Sequence, residues 1–287
     1  MTGADTAEFL SRFEVVPAGE DHFTGTCYPG WPGRAFGGQL AAQSLHAAAL
    51  TAPEGMDPWS TSIYFHAPVR SNEPIDYEVV HIKDGKTTAT RQVRVQQDGK
   101  LRATSMSLFG RPGEGPTHSH SRPNVTAPED LPPVDRIIHP SVVPPDADFA
   151  ALGYPTEALV ELRVVPHEAV EGAEAALQNP VWMRVIPPLP QDALVVAMTV
   201  CYLSDITLGT TALEPHGGRD GASGLQLGAI ELALWFTGAG DLNAWSLFSQ
   251  ETSFAGSGHG LSHGLFYDAH ARILAVAGQN ALMRFAQ

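Results

Sequence analysis

The stretch "PQDALVVAMTVCYLSD", residues 190–205, decides the fold. It predicts a helix, and apolar side chains cover nearly every face of that helix. A helix that is apolar all round is buried by its neighbours rather than exposed along one side. Its most apolar run, 193–203, is about half of what a membrane span requires. The sequence therefore predicts that other elements of a soluble protein enclose this helix. The apolar positions are Leu194, Val195, Val196, Met198, Val200, Cys201 and Leu203.

Strand-like segments surround the predicted helix in the second half of the chain. One precedes it at 180–187, and three follow it at 225–236, 243–254 and 262–285. The second half therefore predicts a helix followed by several antiparallel strands.

The first half repeats the same order of elements. An alanine-rich helix is predicted within 34–52 and a strand at 59–69, followed by further strands with "DG" turns at 84–85 and 98–99, which are hairpin signals. A helix followed by long antiparallel strands, twice over, favours an α+β fold in which a sheet wraps around a helix in each half.

The two halves are separated by a proline-rich stretch. Residues 111–157 contain ten of the 23 prolines, with little hydrophobic periodicity. Such a run is typical of a linker rather than of helix or sheet. We expect a first domain at 1–110, a linker at 111–157 and a second domain at 158–287.

Composition excludes some classes of function. A net charge of −14 argues against a nucleic-acid partner, because that affinity comes mainly from Lys and Arg on phosphates. Cys27 and Cys201 are too few and too far apart for a disulfide framework. The first residues, "MTGADTAEFL", lack the pattern of a signal peptide. We expect a cytoplasmic protein with no membrane span.

The run "GLSHG", residues 260–264, matches the G-x-S-x-G pattern that presents a nucleophilic serine. That pattern needs a strand before it, a helix after it, and an acid and a histidine later in the chain. Here a glycine-rich segment precedes Ser262, hairpin-like alternation follows it, and few residues remain. We interpret the run as a turn or strand start. His259 and His263 have a metal-ligand spacing for a helix, but the glycines around them disfavour a helix, and no metal is expected.

Several blocks together resemble a known family. They are "RAFGGQLAAQSLHAAA" (34–49), "YLSDITLGTTALEPHG" (202–217), "LNAWSLFSQETSFAGSGHG" (242–260) and "LFYDAHARILAVAGQNALMR" (265–284). In order and spacing the chain resembles the acyl-CoA thioesterase II family, the double-hotdog thioesterases. The resemblance covers about residues 10–285. It implies two hotdog folds in one chain and the hydrolysis of fatty acyl-CoA to free acid and CoA, with no cofactor and no covalent intermediate.

The resemblance also implies site residues. The family's aspartate, at the end of the second-half helix, falls on Asp205, and its glutamine falls on Gln279. A partly desolvated carboxylate suits a general base, and an amide can both donate to and accept from a water. Alternatively, Asp205 caps a further helical turn, and Gln279 bonds a neighbouring strand. The family's hydroxyl falls on Ala229, which can neither hold a water nor donate to an oxyanion, so this departure puts activity in question.

Two further sets of residues are candidates. If Ala229 lines the site, period two places Glu231 on the same face of the strand. A second carboxylate there would partly replace the lost hydroxyl, whereas the alternative is a structural acid. Gly37, Gly38 and Gln39 open the first helix, where backbone N–H groups can face the thioester or the phosphates of the substrate, or simply form a tight turn.

Three other functions remain open at this point. One is an acyl-CoA-binding protein that lost turnover with the hydroxyl at position 229. Another is a hotdog lyase acting on enoyl- or hydroxyacyl-thioesters, although no matching pair of a histidine and an acid is evident. The third is a structural subunit of a larger assembly, because sheet edges invite pairing. For the enzyme itself we expect a homo-oligomer, either a dimer or a tetramer of double hotdogs.

Overall fold

The computed structural model describes residues 3–31, 33–133, 159–170, 175–217, 225–238 and 240–285. These residues contain three α-helices, which are α1 (Gly3–Ser11), α2 (Gly37–Leu50) and α3 (Ala193–Thr211). Helices α2 and α3 fall where the sequence predicts the two long helices. They lie against each other and against one large sheet.

Fourteen strands are present in the described residues. Those of the first half are β1 (Val16–Gly19), β2 (His22–Gly25), β3 (Pro29–Trp31), β4 (Arg34–Ala35), β5 (Asp57–Phe65), β6 (Ile75–Asp84), β7 (Thr88–Gln97) and β8 (Lys100–Gly110). Those of the second half are β9 (Val160–Val164), β10 (Val181–Val185), β11 (Leu225–Phe236), β12 (Ser246–Gly256), β13 (His259–Tyr267) and β14 (Ile273–Phe285). Strands β3 and β4 form a separate two-stranded ribbon.

The other twelve strands form one antiparallel sheet. Its order is β1-β2-β6-β7-β8-β5-β11-β14-β13-β12-β10-β9. The two halves meet where β5 pairs with β11, with Ile63 opposite Leu232. Outward from this pair the order is matched on both sides, so each half supplies a helix and an equivalent set of strands. This is the double hotdog that the resemblance implies.

Helix α3 forms the centre of the second half. Thirteen of its nineteen residues are buried, as its all-round apolar surface predicts. The Asp192 side chain caps it by accepting hydrogen bonds from the Leu194 and Val195 N–H groups at 2.9 and 3.3 Å. The segment Ala193–His216 is long and apolar enough to cross a membrane, but 67% of an 18-residue apolar stretch within it is buried inside the protein, as in a core helix.

The extent of α3 corrects one expectation. The sequence places the end of this helix at Asp205, whereas the helix continues to Thr211. Ile206 and Leu208 are buried and extend the apolar surface by more than a turn. Asp205 therefore lies inside the helix and does not cap its end.

The proline-rich stretch is irregular wherever it is described. Residues 111–133 contain one 3-10 turn, Pro128–Asp130, and run across the second-half sheet. The Trp182 indole donates to the Thr126 carbonyl at 2.9 Å, and the Tyr267 hydroxyl donates to the Ser121 carbonyl at 3.2 Å. Positions 134–158, and with them the predicted boundary near 157, lie outside the described residues. The domain limits therefore stay predictions.

Candidate active site

Asp205 lies where the two helices and the sheet meet. Gln279 on β14 donates from Nε2 to Asp205 Oδ1 at 2.5 Å. The backbone N–H of Gly38, in the first turn of α2, donates to Asp205 Oδ2 at 2.7 Å. The structure thus brings together a carboxylate and an amide from the second half with the N-terminal end of a helix from the first half.

Two glycines allow this approach. A Cβ added at Gly37 would lie 2.7 Å from Asp205 Oδ2, and one added at Gly38 would lie 2.9 Å from the Tyr202 carbonyl oxygen and 3.0 Å from that of Cys201. The distance to the Tyr202 carbonyl is shorter than real Cβ atoms show, and the distance to the Cys201 carbonyl is at the limit. The "GG" of the sequence is therefore required by the contact between the helices and by the carboxylate.

The environment of Asp205 tunes its acidity. Burial raises the pKa of its carboxyl from 3.8 to about 6, because the charged form loses solvation. The hydrogen bonds from Gln279 and the Gly38 N–H favour the charged form and limit this rise. A carboxyl group with a pKa near 6 is ionised at neutral pH and is still basic enough to accept a proton from water.

Gln279 holds its amide between the sheet and α3. The side chain is 5% exposed, and its Oε1 atom has no hydrogen-bond partner within the described part of the chain. A Cβ added at Gly209, one helical turn after Asp205, would lie 2.8 Å from that oxygen. Gly209 is not among the site residues that the sequence predicts. The sequence feature that could have identified it is a glycine inside an apolar helix, because glycine there lowers the stability of the helix by about 1 kcal/mol relative to alanine.

Ala229 lies close to this amide. It pairs with Ala281 across β11 and β14, and Ala281 and Gln279 share the buried face of β14. The side chain of Ala229 therefore points to the helix side of the sheet. The methyl group stands where the family resemblance places a hydroxyl.

Glu231 does not share that face, and the predicted alternation is wrong here. A β-bulge lies between Ala229 and Glu231, so Ala229 pairs with Ala281 whereas Glu231 pairs with Asn280. The extra residue reverses the alternation and sends Glu231 to the outer face of the sheet. There it accepts a hydrogen bond from Tyr64 and raises the pKa of that phenol. It is not positioned to replace the hydroxyl.

Gln39 has a structural role, which corrects its assignment to substrate binding. The residue is 1% exposed. Its Nε2 donates to the carbonyls of Arg12 and Thr26 at 2.8 and 3.3 Å, and its Oε1 accepts from the Tyr28 N–H at 2.9 Å. The amide holds the preceding segments against α2. The Gly38 N–H is likewise used on Asp205 instead of facing a ligand.

Ser262 lies within strand β13, so the run "GLSHG" is not a nucleophile elbow. His259 and His263 lie on the same strand and not on a helix. His259 contacts Asn280 at 3.0 Å, and His263 contacts Glu251 at 3.0 Å. Among the described residues, no group of three or more His, Cys, Asp or Glu side chains could hold a metal.

The chain is similar to known proteins over nearly its whole length. Residues 28–110 match the family profile described as the acyl-CoA thioesterase N-terminal domain, and residues 151–282 match the profile described as acyl-CoA thioesterase. Acyl-CoA thioesterase 2 of Haemophilus influenzae is 29% identical over 257 residues, covering 88% of each chain. Human acyl-coenzyme A thioesterase 8 is 25% identical over 278 residues, covering 94% of this chain and 86% of its own.

Solved structures show the same fold. The acyl-CoA thioesterase II TesB2 from Mycobacterium marinum superposes with a TM-score of 0.82 at 25% identity, covering 96% of this chain and 98% of its own. A hot dog fold protein from Alicyclobacillus acidocaldarius superposes with a TM-score of 0.75 at 20% identity over the full length of both chains.

Proposed function

The chain belongs to the acyl-CoA thioesterase II family, and we propose that it hydrolyses acyl-CoA thioesters to free fatty acid and CoA with a water activated by Asp205. The observation that carries this proposal is the contact of Asp205 with both Gln279 and the first turn of α2. The contact joins a base, a polar group for positioning water and the positive end of a helix at one point.

The reaction begins with the water. Each oxygen of the Asp205 carboxylate accepts one hydrogen bond and keeps lone pairs for another donor. A water donates one hydrogen bond to this carboxylate and a second to Gln279 Oε1, which leaves an oxygen lone pair for the thioester carbonyl carbon. As the new C–O bond forms, Asp205 takes the proton.

The tetrahedral intermediate then collapses. Its oxyanion is stabilised by the N-terminal end of α2, where the helix dipole favours negative charge although the Gly38 N–H itself is bonded to Asp205. The C–S bond breaks, and Asp205 returns its proton to the departing sulfur. The products are the fatty acid and CoA, with no bond between the acyl group and the protein.

The test is thiol release from acyl-CoAs of increasing chain length, for wild type and Asp205→Asn. Because an amide cannot accept the proton, we expect turnover to fall by at least ~10²-fold in this variant. Glu231→Gln is the matched control, since the same change is made on the outer face of the sheet. We expect its turnover to equal that of wild type. Wild-type rates in Asp205→Asn would refute the proposed role of Asp205.

Further features of the protein belong to the same proposal. Buried free Cys27 and Cys201 suit a reducing compartment and support a cytoplasmic enzyme. Trp235, Tyr64 and Met106 are 52%, 50% and 42% exposed, and such apolar surface supports a homo-oligomer, a dimer or a tetramer. Sedimentation velocity distinguishes these states from a monomer.

A further inference from the structure

The hydroxyl of Ser262 lies on the strand next to Gln279. Ser262 is 5% exposed, and its Oγ has no hydrogen-bond partner in the described ranges. Its neighbour across the sheet, Thr252, donates to the Leu261 carbonyl at 2.9 Å and is thus satisfied. A buried polar group without a partner destabilises the folded protein, so an unpaired hydroxyl at Ser262 needs an explanation.

The explanation lies on the next strand. Ser262 on β13 is directly opposite Gln279 on β14, and both side chains are buried on the helix side of the sheet. Directly opposite residues have Cβ atoms about 4.5–5.5 Å apart. Gln279 Oε1, itself without a partner among the described residues, can only accept a hydrogen bond, whereas the serine hydroxyl can donate one. The two unpaired groups are chemically complementary and adjacent.

We propose that Ser262 is a positioning residue whose hydroxyl donates to a water that in turn donates to Gln279 Oε1, and that this bridge keeps Gln279 Nε2 on Asp205. This inference rests on the proposed function. The carbonyl oxygen of Gln279 has two lone pairs, so it can accept from this bridging water and from the attacking water at the same time.

The consequence concerns the orientation of an amide. Without a donor at its oxygen, a glutamine amide can rotate and turn Oε1 towards the carboxylate, where the two acceptors repel. The bond from Gln279 then no longer favours ionised Asp205. Burial raises the pKa of Asp205, and the hydrogen bonds from Gln279 on β14 and from the Gly38 N–H on α2 lower it. No charged side chain of the described helices or sheet contributes to this pKa shift. Losing Ser262 should therefore raise the pKa of Asp205.

The test compares Ser262→Ala and Ser262→Thr with Ser105→Ala. Ser105 on β8 is also buried, at 1% exposed, with no partner for its Oγ among the described residues. Across the sheet, Gln279 is opposite Leu232, Leu232 is opposite Ile63, and Ile63 is opposite Ser105. Ser105 is therefore three strands, or roughly 14 Å, from Gln279. It therefore reports the effect of deleting a buried serine hydroxyl away from the site.

We expect Ser262→Ala to lower kcat about tenfold with KM little changed, because a displaced amide aims the water poorly. The acid limb of its pH–kcat profile should move up by about half a unit, since ionised Asp205 loses part of its support. Ser262→Thr, which keeps the hydroxyl, should restore both values. Ser105→Ala should match wild type in both.

Two outcomes separate the inference from the proposed function. If Asp205→Asn is inactive but Ser262→Ala matches Ser105→Ala in kcat and in its acid limb, the inference is wrong and the proposed function stands. If Asp205→Asn keeps wild-type turnover, both fall. Urea midpoints provide a readout without turnover. If the Ser262 hydroxyl makes no hydrogen bond, Ser262→Ala and Ser105→Ala should change the urea midpoint equally. If it is hydrogen-bonded, Ser262→Ala should have the lower urea midpoint of the two.

Discussion

Gly209 leaves room for the amide of Gln279 because it bears no side chain. A methyl group there would meet Gln279 Oε1 at 2.8 Å, at the far end of a flexible side chain. Such a contact is relieved by moving the amide, which costs little stability. The glycine therefore leaves the amide in place, at a cost in helix propensity relative to alanine.

We expect Gly209→Ala to lower kcat at least tenfold, because Gln279 is displaced from Asp205. Its stability should stay equal or rise by up to about 1 kcal/mol, since alanine favours the helix. Kinetics and urea unfolding on the same preparation check this pair of results. Gly228→Ala is the control, because a Cβ there has no atom within 4 Å. Unchanged kcat in Gly209→Ala would contradict the argument.

Ala229 offers the opposite test, a gain of activity. A serine at this position would place a hydroxyl on the helix side of the sheet, beside the site of Gln279 and Ala281. One added donor to the water or the oxyanion can be worth ~10²-fold, and we expect Ala229→Ser to raise kcat by ~10-fold or more. Ala233→Ser, on the outer face of the same strand, should change nothing. Thiol release measures both, and no gain would mean that the hydroxyl is supplied elsewhere.

At the scale of elements, the sequence predicts which segments form helices and strands better than it predicts their irregularities. The all-round apolar pattern places α3 in the core, and the family motif identifies Asp205 and Gln279, which the structure brings into contact. The face of Glu231 is not predictable from period two, because the bulge after Ala229 depends on pairing with β14. The sequence likewise cannot show that the Gln39 side-chain amide is hydrogen-bonded to backbone groups of three other residues.

The crossing of α2 and α3 depends on two adjacent glycines that should respond differently. In Gly37→Ala the new methyl meets a carboxylate oxygen, so we expect loss of turnover with little loss of stability. In Gly38→Ala it meets two backbone carbonyls of α3, so the helices must separate, at a cost of about 1–3 kcal/mol. Urea unfolding and thiol release on both variants check the contrast. Equal stability of the two variants would show that the crossing tolerates a side chain.

At the scale of the whole molecule, neither half contains the site alone. Asp205 and Gln279 come from the second half, and the Gly38 N–H comes from the first. The pairing of β5 with β11 makes the two half-sheets continuous and fixes the helices across the joint. The acidity of Asp205 is therefore a property of the assembled chain.

The same acidity links stability to pH. Because the pKa of Asp205 is about 6 in the folded protein and 3.8 ordinarily, the folded state binds its proton more tightly than the unfolded chain does. Between these two values the folded state carries more protons, so this group's contribution to stability falls as pH rises. We expect wild type to lose at most roughly 3 kcal/mol relative to Asp205→Asn from pH 4 to pH 7. Urea unfolding of both proteins across this range measures the difference, and a flat difference would contradict a raised pKa.

The place of β14 in the sheet has a consequence for biosynthesis. It is the last of the fourteen described strands to leave the ribosome, yet it lies between β11 and β13 and carries Gln279. Until it arrives, the nascent chain has two open strand edges in the middle of its future sheet, and such edges invite pairing with other chains. A translational pause just before β14 would therefore hold the protein at its most aggregation-prone stage, and chaperones that shield strand edges would matter most then.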